Sequence, residues 1–213
     1  MDGHVDVWID KCNGESFLWP NDLCFGPDGC LYLTDSGILF GQFRPGGGRI
    51  RPDIMSFKID GRVYRINVQT KEIWEIDEGI RFANGICFGP DNNLYVAETI
   101  TGTIYRYEWA NGKIGTREVF GNVIDPSLTG DFKGPDGMKF GSNGNLYVTV
   151  PGQGHVTVLA ANGSVVARIR TRGLRPTNIA FGPPGENKVF VTEVQFGAIE
   201  VFDVETDGLP LFT

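Results

Sequence analysis

The sequence predicts an all-β fold, specifically a β-propeller, on three observations. One strand–turn–strand pattern occurs four times, its turns are rich in Gly, Pro, Asn and Asp, and no stretch reads as a convincing helix. The clearest copy, residues 82–99, is FANGICFGPDNNLYVAET. Ile86, Cys87 and Phe88 form an apolar strand, and Leu94, Tyr95 and Val96 form the next. Between them Gly89-Pro90-Asp91-Asn92 carries turn chemistry: proline fixes φ, and the Asp and Asn side chains bond local backbone. The other copies are WPNDLCFGPDGCLYLTDSG (19–37), GPDGMKFGSNGNLYVTVPG (134–152) and RPTNIAFGPPGENKVFVTEVQ (175–195).

Strand-rich units of roughly 40–50 residues are the signature of four-stranded propeller blades around a channel. The first strand of each unit faces that channel. Aligned on the turns, one column at its start holds Asn21, Asn84, Asp136 and Thr177. A polar side chain there needs a partner or costs a few kcal/mol on burial. Carboxylate and amide oxygens converging from neighbouring blades suit a hard cation such as Ca²⁺ or Mg²⁺, while the same residues could simply bond turn backbone. Counting across each hairpin places Asp35 opposite Asn21, Glu98 opposite Asn84 and Glu193 opposite Thr177, with Val150 interrupting the series. These acids would orient the amides or raise the local negative potential, or else simply end their strands in solvent.

Taken in order, residues 5–9 (VDVWI) alternate like a strand, the outermost of a blade whose other strands are missing. The first full blade is expected over 22–25, 30–35, 62–67 and 72–76, and the second continues from its inner pair over 103–109 and 117–120. The third is expected over 136–140, 145–149, 155–159 and 165–170, and the fourth over 177–181, 188–193 and 198–204. The fourth blade's outer strand would be either 209–212 or the N-terminal 5–9, closing the ring. Residues 36–61 form an unusually long connection containing GQFRPGGGRIRPD. Its glycine run with Arg44, Arg49 and Arg51 could hold an anion but matches no phosphate-loop fingerprint, so it reads as a flexible surface loop. Because meander strands alternate in direction, this loop belongs at the same mouth as the Asn/Asp column.

With 213 residues the chain can bury one large core as a single domain. A net charge of −7 argues against a nucleic-acid partner, since no basic stripe exists to neutralise phosphates. No segment has the length and apolarity of a membrane span, and no signal peptide opens the chain, so a cytoplasmic location is the default. Cys12, Cys24, Cys30 and Cys87 have no paired metal spacing. Cys24 and Cys30 flank one turn, and buried reduced thiols are preferred to a disulfide there.

Several catalysts are absent: there is no G-x-S-x-G elbow and no H-E-x-x-H. His4 and His155 both lie outside the inner column, and His155 reads as structural or solvent-exposed. A Ser-His-Asp mechanism is therefore disfavoured.

PND at 20–22, ANG at 83–85 and PDG at 135–137, each opening an inner strand followed by an L-Y-V-T-type strand, resemble the senescence marker protein (regucalcin), gluconolactonase and luciferin-regenerating enzyme family. The resemblance covers nearly the whole chain. It implies a six-bladed propeller with one divalent metal in the channel, Ca²⁺ first, Zn²⁺ or Mn²⁺ next, and hydrolysis of sugar lactones or related esters. By it, Asn84 and Asp136 match two metal ligands, Asp136 also the general base, and Asn21 a residue contacting substrate or metal-bound water. There are two departures. The family's Glu ligand, in an N-terminal E-G-P-x-W-type motif, has no counterpart here, and Trp19 stands where the family often has Arg.

The expectation is a metal-dependent lactone or ester hydrolase of the six-bladed type. About four blades would be present as an open arc, with N-terminal blades absent and weak cation affinity. Open blade edges would invite self-association. The competing expectation is a non-catalytic propeller that binds a ligand or protein partner, or an inactive truncated family member.

Overall fold

Each repeated unit folds into an antiparallel meander whose first strand lies innermost. The computed structural model describes residues 3–110, 112–129 and 132–213. The small hairpin β1 (Lys11–Cys12) and β2 (Glu15–Ser16) precedes the blades. Blade one is β3 (Pro20–Phe25), β4 (Leu31–Asp35), β5 (Gly61–Ile66) and β6 (Ile73–Ile80). Blade two is β7 (Ala83–Phe88), β8 (Leu94–Glu98), β9 (Thr103–Ala110) and β10 (Lys113–Asn122). Blade three is β11 (Met138–Phe140), β12 (Leu146–Val150), β13 (His155–Leu159) and β14 (Val165–Arg170). Blade four has β15 (Pro176–Phe181), β16 (Lys188–Glu193) and β17 (Ala198–Asp203).

The inner strands pack in sequence, β3 on β7, β7 on β11 and β11 on β15, so the blades form an arc. Burial follows position in the arc. In blade two every residue of β7 and β8 is buried, because blades one and three flank it. Between blades one and two lie Tyr32, Ile80, Ile86, Leu94, Val96 and Tyr107, all at most 1 % exposed. Each aliphatic side chain there contributes about 1.5–3 kcal/mol. At the ends of the arc apolar residues remain open: Leu23 is 54 % exposed in β3, and Ile199 and Val201 are 72 % and 54 % exposed in β17.

Close approach of the blades dictates two glycines. A Cβ at Gly85 would collide with the Asp136 carbonyl oxygen, and one at Gly137 would collide with Asn178. The Asn-Gly and Asp-Gly dipeptides of the inner column are therefore packing requirements as much as turn signals.

Four expectations are corrected. Residues 5–9 form no strand and pair with none of the described sheets; Val5 and Val7 are 89 % and 80 % exposed. Blade four also gains no fourth strand from residues 209–212. That tail instead returns to the inner strands, where the Leu209 N–H donates to the Phe140 carbonyl and the Phe212 ring packs on Phe88 at 5.9 Å. The connection after β4 is no bare loop: it contains the one-turn helix α1 (Phe40–Phe43) and a 3₁₀ turn at Pro45–Gly47. It has its own core of Ile38, Phe43, Ile54 and Ile59, so apolar burial orders it. The fourth correction concerns register. Irregularities between Pro20 and Leu23, and between Ala83 and Ile86, shift the acids by one, so Asp35 pairs with Pro20, Glu98 with Ala83 and Glu193 with Pro176. All four cysteines are free, and no helix of the described residues is long and apolar enough to cross a membrane.

Candidate functional site

The β3, β7 and β15 entrances and the segment preceding β11 bring Asn21, Asn84, Asp136 and Thr177 to the wall of one cavity of about 1340 Å³. Asn84 is 5 % exposed, whereas Asn21, at the open end of the arc, is exposed. The two amides are held in the same way. Asn21 Nδ2 donates to Ser36 Oγ at 2.8 Å, and Ser36 Oγ donates to the Ala83 carbonyl at 3.0 Å. Asn84 Nδ2 donates to Thr99 Oγ1 at 3.0 Å, and Thr99 Oγ1 donates to the Pro135 carbonyl at 2.8 Å. Each hydroxyl therefore orients one ring amide and ties it to the residue just before the next ring member. Sequence reasoning missed Ser36 and Thr99. The repeated acid–hydroxyl pairs, Asp35-Ser36 and Glu98-Thr99, were the signal that could have found them.

The acids themselves have a different task from either expected one. Asp35 accepts the N–H groups of Leu18, Trp19 and Gly37, and Glu193 those of Arg175, Gln195 and Phe196. Glu98 accepts the Arg81 N–H at 2.7 Å. All three are buried and fasten the chain entering each blade; they neither orient the ring amides nor end in solvent. Three N–H donors on Glu193 hold its carboxyl below the usual carboxylate range, against an opposing push from burial.

Asp136 is the perturbed acid. Burial, with the nearby Asp22 carboxylate, pushes it up to about 7, against hydrogen bonding from the Asn84 side chain and the Gly137 N–H. Asn84 Oδ1 is buried and has no hydrogen-bond partner among the described residues. An unsatisfied amide oxygen beside a carboxylate that resists ionisation is an arrangement that a hard cation would satisfy on both counts. The residues present thus fit such an ion as two oxygen donors. Among the described residues no cluster of three His, Cys, Asp or Glu side chains forms a complete metal centre.

An aromatic cluster forms another part of the cavity lining, alongside Arg44, Arg49, Arg51 and Arg175. Two residues before the ring column stand Trp19 and Phe82, joined by Phe40 and Phe43 of α1 and by Phe132. Trp19 meets Phe40, Phe43 and Phe82 at 5.3, 5.4 and 5.6 Å between ring centroids. Phe43 meets Phe132 at 5.3 Å. Phe82 takes a left-handed backbone at φ 72°, a strained choice for a bulky residue. The connection after β4 therefore forms part of the cavity wall at the mouth that bears the Asn/Asp column, as the meander geometry requires. Of its arginines, Arg51 is paired with Asp53 at 2.7 Å and stacks on Phe57 at 3.5 Å, while Arg44 and Arg49 also line the cavity. His155 lies away from this cavity. It is 1 % exposed, bonded through Nδ1 to Thr157 Oγ1 at 3.1 Å, and structural.

Residues 1–195 match a sequence profile described as the SMP-30/Gluconolactonase/LRE-like region. Lactonase drp35 of Staphylococcus epidermidis is 34% identical over 194 residues, which cover 88% of this chain and 53% of that protein. A structure titled as a gluconolactonase from Xanthomonas campestris superposes with a TM-score of 0.72 at 25% identity, covering 99% of this chain and 62% of the other. A structure titled as the calcium-binding protein regucalcin from Agrobacterium tumefaciens superposes with a TM-score of 0.69 at 22% identity, covering 91% and 64%. The chain spans about half the length of the curated relatives it matches.

Proposed function

The chain belongs to the SMP-30/gluconolactonase/LRE-like family, and from that premise we propose that the Asn84–Asp136 cavity serves hydrolysis of a lactone, with a divalent cation, Ca²⁺ first, as cofactor. The observation that carries this reading is the unpartnered Asn84 Oδ1 next to an Asp136 carboxyl raised to about 7. The lactonase names of relatives support the reaction class.

Asn84 and Asp136 would hold the cation, which when bound supplies charge to polarise an ester carbonyl and to stabilise the oxyanion that forms there. Asp136, which a bound cation would keep ionised, would take a proton from an attacking water. Thr99 keeps the Asn84 amide from rotating. Asn21, on the same wall, offers a side chain to the ring oxygens of the substrate. Trp19, Phe40, Phe43, Phe82 and Phe132 present ring faces suited to an alkyl or aryl substituent, while Arg44, Arg49 and Arg175 in the same lining can donate to substrate oxygens, so a lactone carrying an alkyl or aryl group fits this wall. With apolar residues open at both ends of its arc, the chain is also expected to self-associate.

The test is turnover of a lactone panel, sugar-derived and alkyl- or aryl-substituted, by the purified chain with Ca²⁺ and with chelator, alongside Asp136→Ala. Cation-dependent opening that D136A abolishes supports the reading. Equal turnover by D136A and the native chain contradicts it.

A further inference from the structure

Three residues along the inner strands from Asn21, Asn84, Asp136 and Thr177 stand Cys24, Cys87, Lys139 and Ala180. At strand rise this level lies roughly 10 Å further down the channel. The first three of these side chains line a second, smaller cavity of about 220 Å³, closed on another side by the 209–212 tail. The rest of the lining, including Phe88 and Phe140, is apolar. Cys24 and Cys87 come from adjacent inner strands, β3 and β7, which pack on each other. They lie within electrostatic reach of each other; Lys139, which lines the pocket, and Asp22, which does not, act on both with opposite sign. Neither thiol takes part in the chemistry of the larger cavity.

We propose that Cys24 and Cys87 form a two-sulfur site for a soft monovalent d¹⁰ cation of the Cu(I) class, with the Lys139 ammonium as countercharge. The donor chemistry selects the ion. Two sulfurs in an apolar pocket offer nothing to a hard cation, which needs six or more oxygens, whereas soft thiolates select Cu(I). Charge selects it as well. One Cu⁺ displaces the protons of two Cys–SH groups and leaves a bis-thiolate complex of charge −1, with two H⁺ released and no change of oxidation state. Buried without a partner that anion would be costly, and Lys139 neutralises it. Burial pushes Cys87 up to about 12 and the half-buried Cys24 well above the ordinary thiol value, so both are protonated at neutral pH and an incoming ion must displace the protons. Cys12 sits in a separate packed cluster and is the internal control.

The experiment is an anaerobic competition in which the reduced protein withdraws Cu(I) from a chromogenic chelator. The expected result is one equivalent withdrawn per chain, lost in both Cys24→Ser and Cys87→Ser and retained in Cys12→Ser. Lys139→Met should weaken capture about tenfold or more, as loss of one nearby countercharge implies. X-ray absorption of the copper-loaded native protein, which needs no variant to fold, should give two sulfur neighbours. No withdrawal by the native chain, undiminished withdrawal by both serine variants, unchanged affinity in K139M, or a shell of oxygen and nitrogen alone would each overturn the assignment.

Discussion

Thr99 holds Asn84: its hydroxyl accepts the amide Nδ2 at 3.0 Å and donates to the Pro135 carbonyl at 2.8 Å, one residue before Asp136. One side chain of blade two thus sets both the rotation of an amide in the ring and the position of the carboxylate contributed by blade three. Ser36 does the same between blades one and two.

Thr99→Val, close in shape but without the hydroxyl, leaves Asn84 Nδ2 and the Pro135 carbonyl unsatisfied in a buried place. A loss of about 1–3 kcal/mol of stability is expected, measured by urea unfolding. Cation affinity should fall with it, and Thr99→Ser should restore both. A valine variant with native affinity would mean that Asn84 needs no such support.

Asp136 makes the cation-free chain pH-dependent. Its folded pKa, about 7, lies above the ordinary aspartate value of 3.8, so the folded state binds more protons between those limits. That contribution to stability is complete below about 4 and is lost as pH rises through 7. Asp136→Asn should therefore stabilise the chelator-treated protein at pH 8, on the order of 2 kcal/mol, and do little at pH 4. Paired denaturation curves at the two pH values decide it.

His155 has the opposite sign. Burial, with Arg168 and Arg170 outweighing Asp125, pushes it down to about 4 from 6.5, and Nε2 has no hydrogen-bond partner among the described residues. The fold holds the neutral ring, so stability is intact above about 6.5 and is lost as pH falls towards 4. His155→Phe should flatten this acid limb in a pH series of thermal midpoints, whereas an unchanged limb would assign it to other groups.

Trp19 is the centre of the aromatic wall. Trp19→Ala removes three ring contacts and should raise KM for alkyl- and aryl-substituted lactones about tenfold or more while leaving kcat within a few-fold, because the wall binds and does not react. Steady-state kinetics on matched substituted and unsubstituted lactones would separate the two parameters.

Much of this was legible in the chain. The four turn-centred repeats marked the blades, and the Asn21/Asn84/Asp136/Thr177 column marked one cavity, because strand periodicity is local and repeats reinforce it. What escaped was set by tertiary context. A bulge at each strand entrance moved Asp35, Glu98 and Glu193 by one residue, turning expected partners of the amides into fasteners of incoming backbone. The alternation of residues 5–9 looked like a strand, but the segment pairs with none of the described sheets, and alternation alone does not hold a strand. The connection after β4 looked like a glycine-rich loop because its ordering residues, Phe43, Ile54 and Ile59, follow no regular period. Ser36 and Thr99 were hidden beside more conspicuous acids.

The central claim is that Asn84 and Asp136 share one hard cation, and calorimetric titration of Ca²⁺ into the native chain and into Asn84→Ala tests it most directly. The account predicts one site per native chain, with affinity reduced at least tenfold in N84A, since one of two protein oxygens is gone. Identical isotherms for the two proteins, or no heat with Ca²⁺, Zn²⁺ or Mn²⁺ in the native chain, would contradict it.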